Sequence, residues 1–288
     1  MATSATISSV VVPVDFSPGS EQALERALRL PVGPKTKVTL LHVLPDDIPG
    51  VLRKQAVRES EARLEKVLAR AHRLALADGL SPRQFVADVV EGNPAKEILK
   101  RAHTVEADLI CLGRHGRRPV ADLFIGSVAQ KVTRQGDVPV LVVKHPAEAA
   151  YARAVVALEP GRKDARVLRG AAAVLRPSAK VTALTVAAVP FEGYVELSGA
   201  QVTSFREQAK RLAQKDLRAS LARSPLKVTP KVLLGDPRVL VLEEVAAQRA
   251  ELVVVGFSGA KGLARLLVGS VSQWVLTHAA TDVLVTAG

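Results

Sequence analysis

Glu106-Ala107-Asp108-Leu109-Ile110-Cys111-Leu112-Gly113-Arg114-His115-Gly116 returns, 143 residues further on, as Arg249-Ala250-Glu251-Leu252-Val253-Val254-Val255-Gly256-Phe257-Ser258-Gly259. Each copy is a short apolar run that opens after an acidic residue and breaks on a glycine, the pattern of a buried strand running into a tight turn. Other segments repeat at the same offset. Val38-Thr39-Leu40-Leu41-His42-Val43 returns as Val181-Thr182-Ala183-Leu184-Thr185-Val186, and Gly92-Asn93-Pro94 as Gly235-Asp236-Pro237. A period of this length is too long for a solenoid unit and means duplicated domains. The 288 residues suit two domains of ordinary size. The boundary is expected within His145-Pro146-Ala147-Glu148-Ala149-Ala150, giving domains 1–148 and 149–288.

Outward from these runs, each half alternates β-type segments with helical ones, which predicts βαβ units and a parallel sheet. In the first half, strands are expected at Val10–Val14, Val38–Val43, Phe85–Val90, Leu109–Leu112 and Val138–Val143. Ser17-Pro18 and Asn93-Pro94 each read as an N-cap followed by proline at the first helical position. A longer helix presents Val57, Leu64, Val67, Leu68, Ala71 and Leu74 on one side and stops near Gly79. Pro139 inside the last run points to an edge strand, because a central strand needs the N–H that proline lacks. Five strands with intervening helices fit a doubly wound sheet, which binds ligands at the carboxyl ends of its strands near a topological switch point.

Composition agrees. Apolar residues make up 48% and aromatics 3%, so the cores are built from Val, Leu, Ile and Ala, as buried parallel strands require. The start of the chain does not read as a signal peptide, no apolar run approaches the ~18–20 residues of a membrane helix, and the expected location is cytoplasmic. Cys111, the single cysteine, excludes a disulfide framework and reads as a small buried hydrophobe rather than a redox thiol. The net charge of +12 divides as +4 for residues 1–148 and +8 for 149–288. It lacks basic runs of five or more and reads as solvated helix faces, such as Arg206, Lys210, Arg211, Lys215 and Arg218. It favours anionic ligands and weak, nonspecific nucleic-acid contact.

The chemistry is concentrated after the fourth strand. Gly113-x2-Gly116 is followed nine residues later by Gly126-Ser127, and Gly256-x2-Gly259 at the same spacing by Gly269-Ser270. Glycines there let a backbone approach a ligand without a Cβ in the way. Gly126-Ser127 should open a helix whose free N–H groups favour phosphate. One copy of such a pattern is weak, and plain loop geometry is its competitor. Two copies at identical spacing favour the phosphate reading.

This Gly-x2-Gly-x9-Gly-Ser spacing resembles the ATP-binding signature of the universal stress protein family. Val14-Asp15-Phe16-Ser17 with Ala23-Leu24 resembles that family's first strand and helix, and Val138–Val143 its last strand. The resemblance spans nearly the whole chain twice and is closest to the tandem members. It implies an α/β fold of two Rossmann-like domains, each a five-stranded parallel sheet in order 3-2-1-4-5 with helices on both faces. It further implies that the last strand pairs across a domain or dimer interface, so that the two domains form a pseudo-dimer, with a homodimer left open. The nucleotide site falls on Asp15, Val43, Gly113, Arg114, Gly116, Gly126, Ser127 and Val128. Its second copy falls on Glu159, Val186, Gly256, Gly259, Gly269, Ser270, Val271 and Ser272. The acidic residue and the Val hold adenine, the first glycine borders the ribose, and the remaining glycines and Ser cradle the phosphates. The hydroxyl that the family keeps two places after that Ser is present as Ser272 and absent at Ala129.

From position alone, Asp15 serves equally well as a ligand contact or as preparation for the following helix. His115, Arg117 and Arg118 suit phosphate or an exposed loop cluster. His42 and His278 lack ligand-spaced partners and read as structural, and Trp274 as helix packing. No catalytic motif is present. The expected function is therefore an ATP-binding stress-response regulator, with magnesium compatible alongside the phosphates, and not an enzyme. A nucleotide-free interaction module and a slow ATPase are the alternatives. Sequence-specific nucleic-acid and membrane partners are not expected.

Overall fold

The computed structural model describes residues 7–114, 116, 125–159, 164–187, 199–257 and 269–287. The chain forms two compact units that meet in sequence between Ala150 and Tyr151.

In the first unit, β1 (Ser9–Pro13) leads to α1 (Pro18–Leu28), β2 (Lys37–Leu44), α2 (Gly50–Ala77) and, past a short 3₁₀ turn, β3 (Phe85–Glu91). Then come α3 (Pro94–Thr104), β4 (Leu109–Gly113), α4 (Ser127–Gln135) and β5 (Val140–Val143). All pairings are parallel: β1 lies between β2 and β4, β3 pairs with β2, and β5 with β4, which is the order 3-2-1-4-5. α1 packs with α2 and α3 with α4, one pair on each face of the sheet. Val10–Val12, Leu40–Leu41, Leu109–Leu112 and Val140–Val143 are buried almost completely, as strands covered on both faces must be. The Sγ of buried Cys111 donates to the Ala23 carbonyl at 3.3 Å, within this core. Pro139 precedes β5 rather than lying in it, and its carbonyl accepts from the Ile110 N–H at 2.9 Å. The proline thus stands at the start of the strand, where a missing N–H is tolerated, and β5 is the last strand in the first unit's own order.

The second unit repeats the plan with β6 (Tyr151–Ala157), α5 (Asp164–Val174), β7 (Leu175–Ala187), α6 (Gly199–Leu221) and β8 (Val228–Leu234). It continues with α7 (Pro237–Ala247), β9 (Leu252–Phe257), α8 (Ser270–His278) and β10 (Asp282–Ala287). Its own parallel order is β8-β7-β6-β9-β10. The basic residues Arg206, Lys210, Arg211, Lys215 and Arg218 are exposed on α6. Among the described residues no helix is long and apolar enough to cross a membrane.

The repeated caps have physical causes. Ser17 and Asn93 accept from the Ser20 and Lys96 N–H groups, each with proline at the first helical position. Gly92 and Gly235 turn into α3 and α7 at φ 143° and 144°, where an L-residue is strained. α3 closes with the Ala107 N–H on the Ala102 carbonyl (2.8 Å) and the Glu106 N–H on that of His103 (3.2 Å). α7 closes identically, Ala250 onto Val245 (2.9 Å) and Arg249 onto Ala246 (3.0 Å). This is the Schellman geometry, which favours glycine at the left-handed position, yet Glu106 and Arg249 occupy it at φ 47° and 48°. A left-handed L-residue costs roughly 1–2 kcal/mol, of which the extra unfolded freedom of glycine takes back about 0.5–1 kcal/mol. Glu106→Gly and Arg249→Gly are each expected to stabilise their unit by about 0.5–1 kcal/mol. A rise in urea midpoint at unchanged slope would show it, and a fall in both variants would refute it.

Candidate functional site

In the first unit the strand order reverses at β1, between β2 and β4, and the carboxyl ends of these strands open into a cavity of about 850 Å³. Asp15, Val43, Gly113, Arg114, Gly116, Gly126, Ser127 and Val128 all line it. Residues from four separate segments are thus brought to one wall system by the topology alone. Such crevices are where doubly wound sheets bind ligands, and this volume suits a ligand of nucleotide size.

The β4–α4 connection is pinned at both ends of Arg114. Its N–H donates to the Val143 carbonyl at 2.9 Å, and its carbonyl accepts from the Gly126 N–H at 2.8 Å. The Arg114 Nε is buried and has no hydrogen-bond partner among the described residues. A buried donor left unpaired costs free energy that a ligand acceptor would recover. Beside it, α4 begins at Gly126 with no side-chain cap and no acidic residue in its first turn. Ser127 and Val128, which carry its first N–H groups at the positive end of the helix dipole, line the cavity.

The glycines serve in different ways. A Cβ on Gly116 would stand 2.5 Å from Asp15 Oδ2, so this glycine allows the loop and the carboxylate to sit side by side. A Cβ on Gly113 would collide with the backbone of Gly19 in α1. Gly113 therefore lets α1 pack against β4 as well as lining the cavity. Gly126 has φ −56°, open to any residue, so a special backbone conformation is not its reason.

Asp15 prepares the start of α1 and also lines the cavity. Its Oδ1 accepts from the Ser17 N–H (3.1 Å) and Oγ (2.6 Å), ordering the residue that caps α1, while the side chain lines the cavity. His42 is buried and donates from Nδ1 to the Val14 carbonyl at 2.6 Å, which fixes its tautomer. That is a structural role, but His42 also lines the cavity, as do Glu59 and Arg63 of α2. Sequence reading missed these. Polar residues three and four apart on a helix look the same whether they face water or a site. His115, Arg117 and Arg118 lie outside the described residues.

The universal stress protein family model matches residues 6–144 and again 150–287. The chain belongs to the universal stress protein family. A stress response protein of Bacillus subtilis is 36% identical over 84 residues, covering 29% of this chain and 49% of that one. A universal stress protein of Mycobacterium tuberculosis is 26% identical over 317 residues, covering 99% of this chain and 96% of that one. The crystal structure of a universal stress protein from Archaeoglobus fulgidus aligns over 98% of this chain and 97% of its own, with TM-score 0.69 and 20% identity. The fold is therefore that of a tandem universal stress protein.

In the second half of this universal stress protein only part of the corresponding set lies within the described residues. Glu159 is exposed just beyond β6, while Val186 in β7 is half-buried. Gly269 starts α8 without a side-chain cap, at φ −53°, and Ser270 and Val271 open the helix. Ser272 Oγ donates to the Gly256 carbonyl at 2.7 Å. The hydroxyl that the resemblance places in the second nucleotide site thus has its proton on β9, holding α8 against that strand. Gly259 lies outside the described residues, as do Ala260 and Lys261. Trp274 is not helix packing: it is 40% exposed and stacks on His278 with ring centroids 3.7 Å apart. Among the described residues no group of three or more His, Cys, Asp or Glu is placed to hold a metal ion.

Proposed function

We propose that this universal stress protein binds an adenine nucleotide, ATP or a close relative, in the cavity of its first unit, and acts as a nucleotide-dependent regulator rather than as an enzyme. One observation carries the reading: the eight residues selected from the first half of the sequence all line one cavity at the switch point. The chemistry is divided along it. Arg114 and the uncapped start of α4 offer N–H donors and positive charge, which suit phosphate. Asp15 offers acceptor oxygens, which suit the amine or hydroxyls at a nucleoside end. The apolar surface between them, including Val14, Leu41 and Val43, suits the faces of a base.

The family membership supports a regulatory role over a metabolic one, since no known catalytic motif accompanies the cradle. Phosphoryl transfer demands mainly positioning and charge, so turnover is the property that separates the two readings. The protein is expected to retain an adenine nucleotide through purification, identifiable by mass spectrometry. Added ATP is expected to bind without multiple turnovers. A protein that carries no nucleotide and shows no heat on ATP titration would favour a nucleotide-free interaction module. Sustained hydrolysis lost in Arg114→Met would make it an ATPase.

A further inference from the structure

We infer that Phe16 is a positioning residue that sets the base selectivity of the site, by holding the Asp15 carboxylate as an acceptor that a base must match with a donor. The inference rests on the nucleotide reading above. Phe16 takes φ 63°, in the left-handed region. The other described non-glycine residues there, Glu106 and Arg249, end helices, where that conformation is ordinary. Phe16 instead joins a strand to a helix. A bulky residue persists in this region only where its surroundings over-determine it, and such positions cluster at functional sites.

The surroundings are specific. The Arg63 guanidinium carbon lies 4.1 Å from the Phe16 ring centroid, and the His42 ring centroid is 4.4 Å away. His42 in turn holds the Val14 carbonyl. The residues on both sides of Asp15 are therefore fixed, Val14 by a hydrogen bond and Phe16 by ring and cation contacts. Its Oδ1 is occupied by Ser17 and its Oδ2 lies against Gly116. Phe16 itself does not line the large cavity. It faces an adjoining recess of about 280 Å³ with Glu21, Lys66 and Val67, and Arg63 lines both this recess and the large cavity that Asp15 and His42 line. Its effect on a ligand passes through the cavity-lining groups it holds, Asp15 by the chain and His42 and Arg63 by ring contact.

A carboxylate only accepts hydrogen bonds. Held in place, it rewards an exocyclic amine and opposes a carbonyl at the same position, so it discriminates between otherwise similar purines. A carboxylate free to swing would lose that discrimination while the phosphate cradle stayed intact.

The test uses the full chain, nucleotide-free, with calorimetric titration of ATP, ITP and inorganic tripolyphosphate. Phe16→Gly accepts the left-handed backbone and deletes the ring contacts, and Phe16→Leu keeps apolar bulk without a flat ring. The wild-type protein is expected to prefer ATP to ITP by about tenfold or more, as one charge-assisted hydrogen bond implies. Both variants are expected to shrink that ratio to within about threefold, chiefly through weaker ATP binding, with tripolyphosphate unchanged. An unchanged ATP-to-ITP ratio in Phe16→Gly, or a parallel loss of all three ligands, would overturn the positioning role. Equal wild-type affinity for ATP and ITP would overturn the selectivity and leave the nucleotide reading standing. Failure of the wild type to bind any of the three would overturn both.

Discussion

Gly116→Val is expected to weaken ATP binding by about 30- to 100-fold while leaving the fold of the first unit intact. A Cβ at this position would stand 2.5 Å from Asp15 Oδ2, closer than side-chain carbon atoms approach their neighbours. Relief requires either the loop or the carboxylate to move. The loop is tied through Arg114, whose N–H and carbonyl bond to Val143 and Gly126, so the carboxylate gives way. Forcing extra volume into a formed site typically costs about 1–3 kcal/mol, and at ~1.4 kcal/mol per tenfold the upper part of that range gives the stated loss. The clash falls on the end of a side chain rather than on backbone, so thermal stability should change little. Calorimetry on the full chain measures the affinity, and differential scanning checks the fold. Retained affinity in a folded variant would remove the loop from the site.

Much of this architecture was legible before any coordinates. The runs Leu109–Leu112 and Leu252–Val255 are apolar without alternation because both faces of each strand are covered, and that is readable. So were Ser17-Pro18 and Asn93-Pro94, because capping is a local contract between a side chain and an N–H two or three residues on. The glycine spacing was legible for the same reason, being confined to one connection. What was not legible is long-range. Nothing near Gly113 announces that Gly19, almost a hundred residues away, packs against it. Glu59 and Arg63 read as a solvated helix face until α2 is laid beside β1 and β2. Phe16 gives no sign of a left-handed backbone, since the Arg63 and His42 groups against its ring come from other segments. Trp274 was read as packing from its size, but α8 presents it outward against His278.

The two halves should respond unequally to loss of their acidic residue. Asp15→Ala removes a ligand acceptor, worth about 1.5–3 kcal/mol for a hydrogen bond to a charged group, or a loss of roughly 10- to 100-fold. It also deprives the Ser17 N–H and Oγ of their acceptor, loosening the turn that carries the site. Glu159 is exposed. Pro160 follows it in sequence, and a proline ring excludes the positive φ that Phe16 takes after Asp15. With its proton on the Gly256 carbonyl, Ser272 gives the second half no donor that Ala129 denies the first. Glu159→Ala is expected to change high-affinity binding by less than about threefold, within the usual range of surface substitutions. Full-chain titrations of the two variants give the comparison, and equal losses would mean that both halves bind alike.

The most direct measurement is a crystal structure of the full chain grown with ATP. The phosphates are expected against the first N–H groups of α4 at Ser127 and Val128 with Arg114 Nε reaching them, and the nucleoside end against Asp15. A triphosphate bound anywhere other than between Arg114 and the start of α4, or a first-unit cavity without nucleotide in a crystal saturated with ATP, would contradict it.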